Sequence, residues 1–254
     1  MSAALIGLIA FALVFGGTLL GILLRKVLPE EHLGPEARDA IKVAMAMIAT
    51  LTALVLGLLT AAANGGLSEK QAEVRVAAAQ VVLLDRTLAE YGPETQEVRA
   101  ALKAVLKARI KEVWPHESTG DVVIDRMTSD SGIEIVQNLV LSLAPKTDGQ
   151  RWLQSNALQI TNSIAAARWT LLEQTGTSIQ WPFLAVVVFW LMIIFMSFGL
   201  FAPANLSVIV ALCLAAISVA GSLFLILEMD QPYTGLIKVP STAMRTALSE
   251  LGKP

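Results

Sequence analysis

Four stretches without a single charged side chain constrain this chain more than any other feature. They cover about residues 3-24, 43-63, 181-201 and 206-227. An α-helix needs about 20 apolar residues to cross the hydrocarbon core of a bilayer. We therefore predict an all-α membrane protein with four transmembrane helices in two hairpins, and a bundle of helices outside the membrane between the hairpins.

The composition agrees with a membrane protein. Hydrophobic residues make up 55% of the chain and charged residues 16%, whereas charged residues make up about 25% of ordinary soluble domains. The formal net charge is only -2, so no nucleic-acid partner is expected. The first apolar stretch has no basic segment before it and is longer than the apolar core of a signal peptide, which favours a retained span.

The polar segment between the hairpins has helical periodicity. A capping-box pattern of Ser68 with Gln71 predicts a helix start, and further helices are predicted to follow Pro93 and to cover about Ser131 to Leu143 and 148-176. The helix predicted to follow Pro93 has an apolar stripe with one charged residue in it. The stripe consists of Val98, Leu102, Val105, Arg109 and Val113. The predicted domains are a first hairpin over 1-64, a bundle over 65-180, a second hairpin over 181-228 and a tail over 229-254 that packs on the bundle.

The loop between the first two spans is rich in basic residues, namely Arg25, Lys26, Arg38 and Lys42. The positive-inside rule favours a cytoplasmic position for this loop, which would place the bundle on the outer side. The same loop also carries four acidic residues, and the sequence does not decide the orientation.

Residues that could support catalysis or metal binding are scarce. The chain has one cysteine, Cys213, inside an apolar stretch, and only His32 and His116 as histidines. No phosphate-binding loop, nucleophile elbow or zinc-binding helix motif occurs. We therefore expect no enzyme activity, no catalytic or metal-binding residues and no cofactor.

The spans contain hydroxyl groups in place of ionisable groups. Thr50, Thr52 and Thr60 in the second span are candidate pore-lining residues, because channels can select with neutral dipoles and gate at apolar constrictions. Four spans are too few to enclose a pore, so conduction would require a homo-oligomer around a central axis. Gly17 and Gly21 form a small-xxx-small pair, which is typical of close helix packing.

The last span ends in two carboxylates, Glu228 and Asp230, followed by Pro232, Tyr233 and Gly235. Carboxylates at a helix C-terminus oppose the macrodipole, at about 0.3–1 kcal/mol each. We predict that at least one of them contacts a basic side chain or backbone amides, so that these five residues form a structural joint. The alternative is a solvated turn at the membrane exit.

Several segments of the C-terminal third resemble the bacterial bestrophin-like domain family of membrane proteins. They read A-A-R-W-T-L-L-E-Q, P-F-L-A-V-V-V-F-W, F-M-S-F-G-L-F-A-P-A-N and F-L-I-L-E-M-D-Q-P-Y-T-G-L-I. The resemblance implies a distant likeness to bestrophins, which are pentameric anion channels with a large intracellular helical part. It therefore places the bundle inside, against the charge argument. After Gly235 the acids that continue this element in bestrophins are absent, and no pore residue is carried over.

Two functional hypotheses follow for a multi-pass protein of the bacterial inner membrane. The first is an oligomeric ion channel, for anions by the resemblance, or a channel-like protein. The alternative is a non-conducting sensor or scaffold whose bundle binds a ligand or a partner protein. Under both hypotheses the expected partners are the lipid bilayer and further copies of the chain. A small ion or an unknown ligand is a further expected partner, and a nucleic acid is not expected.

Overall fold

The computed structural model describes residues 2-29, 34-115, 132-173, 181-203, 205-231 and 235-253, with the backbone alone for 168-173. Eight α-helices are described in these ranges: α1 Ala3–Val27, α2 Pro35–Tyr91, α3 Gln96–Val113, α4 Gly132–Leu141, α5 Asp148–Glu173, α6 Trp181–Phe201, α7 Leu206–Met229 and α8 Thr242–Glu250. A short 3-10 turn, Pro93–Thr95, joins α2 to α3.

The chain divides into two compact units. The membrane unit comprises Met1–Leu67 and Thr177–Lys238, and the bundle unit comprises Ser68–Gly176 and Val239–Pro254. Helices α1, α2, α6 and α7 are each long and apolar enough to cross a membrane. The prediction of an all-α membrane protein with four spans is therefore confirmed.

Helix α2 differs most from the sequence prediction. It runs without interruption over 57 residues from Pro35 to Tyr91, so the predicted helix start at Ser68 is wrong. Ser68 and Gln71 lie in the interior of α2, where the backbone amides already have helical partners. A capping-box pattern can occur by chance inside a helix, because serine and glutamine are tolerated on an exposed helical surface.

Glycines determine how α1 packs against α6 in the membrane unit. A Cβ atom on Gly17 would lie 2.7 Å from the carbonyl oxygen of Met192, and one on Gly21 would overlap the carbonyl oxygen of Met196. From the other side, a Cβ on Gly199 would overlap the carbonyl oxygen of Thr18. Small residues at such positions let helix backbones approach closely, and dispersion then favours the pair. The packing predicted for Gly17 and Gly21 is thus located at the α1–α6 crossing.

The bundle unit has an apolar core made by α2, α3, α4 and α5. In α3 the buried residues are Val98, Leu102, Leu106 and Ile110, so the predicted stripe through Val105, Arg109 and Val113 is wrong over its second half. The buried side follows a spacing of four residues, which leaves Arg109 at the edge, where it pairs with Glu112 at 2.6 Å. In α5, Leu153, Ala157 and Ile160 are buried along one side of the helix, as their spacing in the sequence predicts.

A buried ion pair holds the C-terminal segment in the bundle unit. Asp85 of α2 is 1% exposed, and its two carboxylate oxygens accept hydrogen bonds from Arg99 of α3 at 2.8 and 2.9 Å. The backbone N–H of Gly252 donates to the same carboxylate at 3.2 Å, and Arg99 also donates to the carbonyl of Lys253 at 3.0 Å. Residues beyond α8 are therefore fixed by charged groups that α2 and α3 supply.

Candidate functional site in the membrane unit

Helix α2 presents an exposed apolar face in the membrane unit. Val43, Met47, Leu54 and Leu58 are 64%, 65%, 60% and 62% exposed. At 3.6 residues per turn these four positions fall within about 60° of arc on the helix. Buried residues of the same segment, such as Leu59 and Ala63, lie on another side. One face of α2 therefore packs in the protomer and another remains uncovered by it.

The part of α2 in the bundle unit has an apolar face of its own that is exposed. Its members are Ala72, Val76, Ala79 and Leu83, and Val76 and Leu83 are 56% and 54% exposed. These positions alternate in steps of four and three, which is the spacing of a helix–helix seam. Val81, Leu84 and Leu88, which the helical spacing of the sequence also places together, are buried on a different side. This part of α2 therefore has two apolar sides, one buried in the bundle unit and one exposed.

The three threonines predicted to line a pore occupy different sides of α2. Thr50 and Thr60 are exposed, whereas Thr52 is 3% exposed. Each hydroxyl donates to the carbonyl four residues earlier, at 2.9 Å for Thr50, 2.7 Å for Thr52 and 2.8 Å for Thr60. Thr50 lies about 20° outside the arc of Val43, Met47, Leu54 and Leu58, whereas Thr52 and Thr60 lie roughly 100° or more from it. The structure therefore does not bring the three hydroxyls together in one row.

The predicted joint at the end of the last span is described in part. The carboxylate of Glu228, which is 7% exposed, accepts a hydrogen bond from the backbone N–H of Leu236. A Cβ on Gly235 would overlap this carboxylate, so the chain approaches Glu228 through a glycine. Asp230 is the C-cap of α7. Pro232 and Tyr233 lie outside the described residues.

An apolar groove of about 360 Å³ lies between α1 and α6, lined among others by Ile9, Leu13, Trp181, Val188 and Phe189. Its lining offers no group that could act as an acid, a base or a nucleophile. Among the described residues, no three histidine, cysteine, aspartate or glutamate side chains are placed to hold a metal ion. The described geometry of the membrane unit thus consists mainly of apolar surfaces suited to helix contact.

Two features of the structure were not predicted from the sequence: the exposed face of α2 in the bundle unit and the Asp85–Arg99 ion pair. The bundle part of the exposed α2 face is hard to predict because V-R-V-A-A-A-Q-V-V-L-L is apolar on two sides, and periodicity alone does not tell which side is buried. The Asp85–Arg99 pair has a separation of 14 residues across a turn, which no helical spacing rule detects.

Comparison with known proteins gives a consistent result over almost the whole chain. The Bestrophin-like domain matches residues 10–244. No curated protein sequence matches significantly.

Two similar solved structures are variants of a bacterial bestrophin homologue from Klebsiella pneumoniae, each with one aliphatic residue changed to threonine. The first is 15% identical, with a TM-score of 0.62, over 97% of this chain and 99% of that chain. The second is 13% identical, with a TM-score of 0.58, over 94% and 99%. At these identities the likeness shows the fold. Because the domain match covers most of the sequence, the chain belongs to the Bestrophin-like domain family.

Proposed function

We propose that this protein is a homo-oligomeric, channel-like protein of the bacterial inner membrane, in which α2 of each subunit faces a central ion pathway. The observation that supports this proposal most directly is the exposed, uncharged face of α2. A monomer would leave that face to lipid in the membrane unit and to water in the bundle unit. Assembly around an axis would cover or enclose it in both.

Small anions are the proposed permeant ions. The face formed by Val43, Met47, Leu54 and Leu58 carries no carboxylate, and Thr50 adds a hydroxyl at its edge. Carboxylate rings favour cations, whereas neutral dipoles and apolar constrictions leave a path open to weakly hydrated anions. The family resemblance to anion channels points the same way. Selectivity would then depend on the width of the constriction more than on fixed charge.

Cysteine accessibility tests this proposal within one experiment. With Cys213→Ser as background, Leu54→Cys and Leu58→Cys place thiols on the α2 face, and Leu8→Cys places a matched thiol on an exposed site of α1. In planar bilayers, a water-soluble charged thiol reagent should change the current of the α2 variants and leave the α1 variant unchanged. Mass photometry of the same samples gives the subunit count.

Two outcomes contradict the proposal. A monomeric particle without current excludes an oligomeric channel. A stable oligomer that conducts nothing and leaves the α2 thiols unreactive favours the alternative of a scaffold or sensor, in which α2 forms a dry contact between subunits.

A further inference from the structure

Two arginines from different helices meet at the carboxyl end of α6. Arg25, in the last turn of α1, donates from Nη1 to the carbonyl of Ala202 at 2.6 Å. Arg38, near the start of α2, donates from Nη2 to the carbonyl of Phe201 at 3.5 Å. Its guanidinium also lies 5.9 Å from the centroid of the Phe201 ring. Because the two acceptors belong to consecutive residues, both guanidinium groups are held at one place.

In the described part of the chain no ion pair involves Arg25 or Arg38, although the exposed Asp39 carboxylate interacts electrostatically with Arg38. A guanidinium has five N–H donors, so most donors of both groups remain available after the bonds to α6. Lys26 adds a further positive charge and is exposed. Of the nearby described acids, Asp39 is paired with Lys42 at 2.9 Å. Glu36 lies two positions before Arg38, about 200° away around the helix.

The next helix begins at the same turn. Asn205 precedes α7 as its N-cap without a side-chain cap bond, three residues after Ala202. The first amides of a helix lack internal partners and carry the positive end of the macrodipole. The carbonyls that hold the two guanidiniums and the N-terminus of α7 are therefore only a few residues apart in sequence, where one membrane span ends and the next begins; ends of spans lie near the phospholipid headgroups.

We propose that Arg25 and Arg38 bind the phosphate group of an anionic phospholipid at the turn between α6 and α7. The guanidinium fork matches phosphate oxygens in geometry and charge. Anchoring by the α6 carbonyls reduces the side-chain freedom that binding would otherwise remove. A bound lipid would hold the ends of α1, α2, α6 and α7 together. This site does not depend on whether the protein conducts ions.

Binding of fluorescent phosphatidylglycerol to the purified full-length chain in neutral detergent tests the proposal. The variant Arg25→Gln/Arg38→Gln should bind it on the order of thirtyfold more weakly than the wild type. Lys107→Gln/Lys146→Gln removes the same charge from exposed sites of the bundle unit and should bind like the wild type. Arg25→Lys/Arg38→Lys keeps the charge without the fork and should recover part of the affinity.

Phosphatidylcholine and inorganic phosphate serve as competitors. Neither should displace the probe at concentrations where unlabelled phosphatidylglycerol does. Displacement by inorganic phosphate would overturn the lipid assignment in favour of a free-anion site. Equal affinity of the folded wild type and the glutamine variant would overturn the site itself. If the double variant does not fold, Arg38→Gln alone removes the longer carbonyl bond and one guanidinium, and it must still weaken binding.

Discussion

The two helices of the first hairpin, α1 and α2, are equally apolar in the membrane unit but are used in opposite ways. In the most apolar 18-residue segment of each helix, 33% of the residues are buried in α1 and 11% are buried in α2. Glycines let α1 meet α6 backbone to backbone, whereas α2 keeps large side chains such as Met47 and Leu54 exposed. Hydropathy thus identifies a span but does not tell which span packs within the protomer and which stays exposed on its surface.

The largest expected effect comes from filling the α1–α6 crossing. Gly21→Leu should lower the free energy of unfolding by ~3 kcal/mol or more. A Cβ at this position overlaps the Met196 carbonyl and lies 2.9 Å from the Leu200 nitrogen. Both are backbone atoms, which cannot move away unless the two helices separate. Gly16→Leu is the matched control, since nothing lies within 4 Å of a Cβ at Gly16. Thermal unfolding in detergent, followed by tryptophan fluorescence, measures both. Equal losses in the two variants would contradict the tight crossing.

In the bundle unit α2 contributes a buried charge as well as apolar residues, and Asp85→Asn tests how much this charge stabilises the protein. Removing one member of a buried ion pair costs about 3–5 kcal/mol when both partners are fully buried. Because the side chain of Arg99 is 19% exposed, we expect a loss of about 2–3 kcal/mol. Asp148→Asn, at a side chain that is 98% exposed, should cost almost nothing. Chemical unfolding at neutral pH compares them.

The same carboxylate predicts a pH dependence. Burial acts to raise the pKa of Asp85, but hydrogen bonds from Arg99 and the Gly252 amide, with the charges of Arg99 and Arg86, outweigh it and lower the pKa. The pair therefore contributes stability above the unfolded-state pKa of about 3.9 and loses it as the pH falls through the lower folded-state value. Wild-type stability should decline more steeply below about pH 4 than that of Asp85→Asn. Parallel pH curves would argue against the shifted carboxyl.

A smaller effect is expected at the proposed joint after α7. Glu228→Gln keeps an acceptor for the Leu236 amide but removes its charge, and we expect a loss of about 1 kcal/mol. Glu36→Gln, at an exposed acid of the first hairpin, is the control. Melting temperature and subunit count should be measured together, because unchanged values for both would contradict a structural role for Glu228.

The smallest effect compares two buried threonines. Thr18 in α1 is 0% exposed, and its hydroxyl has no hydrogen-bond partner among the described residues. Thr52 in α2 donates to Ile48 at 2.7 Å. Thr18→Val should be neutral or stabilising by a few tenths of a kcal/mol, while Thr52→Val should lose about 0.5–1 kcal/mol. Thermal unfolding of the two variants ranks them, and a clear loss for Thr18→Val would show that this hydroxyl does have a partner.

Hydropathy predicted the spans because the length of an apolar helix is fixed by the bilayer. It could not predict that α2 continues through Ser68, since local cap patterns do not report tertiary support. Helix α8, Thr242–Glu250, was missed because a nine-residue amphipathic segment depends on packing for its stability. Of the candidate site, the apolar wall of α2 was predictable from composition, and the separation of Thr52 from Thr50 follows from helical geometry, because residues two positions apart differ by about 200° around the axis. The burial of Thr52 and the convergence of Arg25 and Arg38 depend on contacts distant in sequence.

The glycine crossing also has a consequence for biosynthesis. Gly21 and Gly199 are 178 positions apart along the chain, and ribosomes add about 5–20 residues per second. Helix α1 therefore waits roughly 10–35 s for α6 to be synthesised. During that time its glycine surface faces lipid or the insertion machinery, and a nascent chain that ends before Trp181 should leave α1 open to capture by a wrong helix.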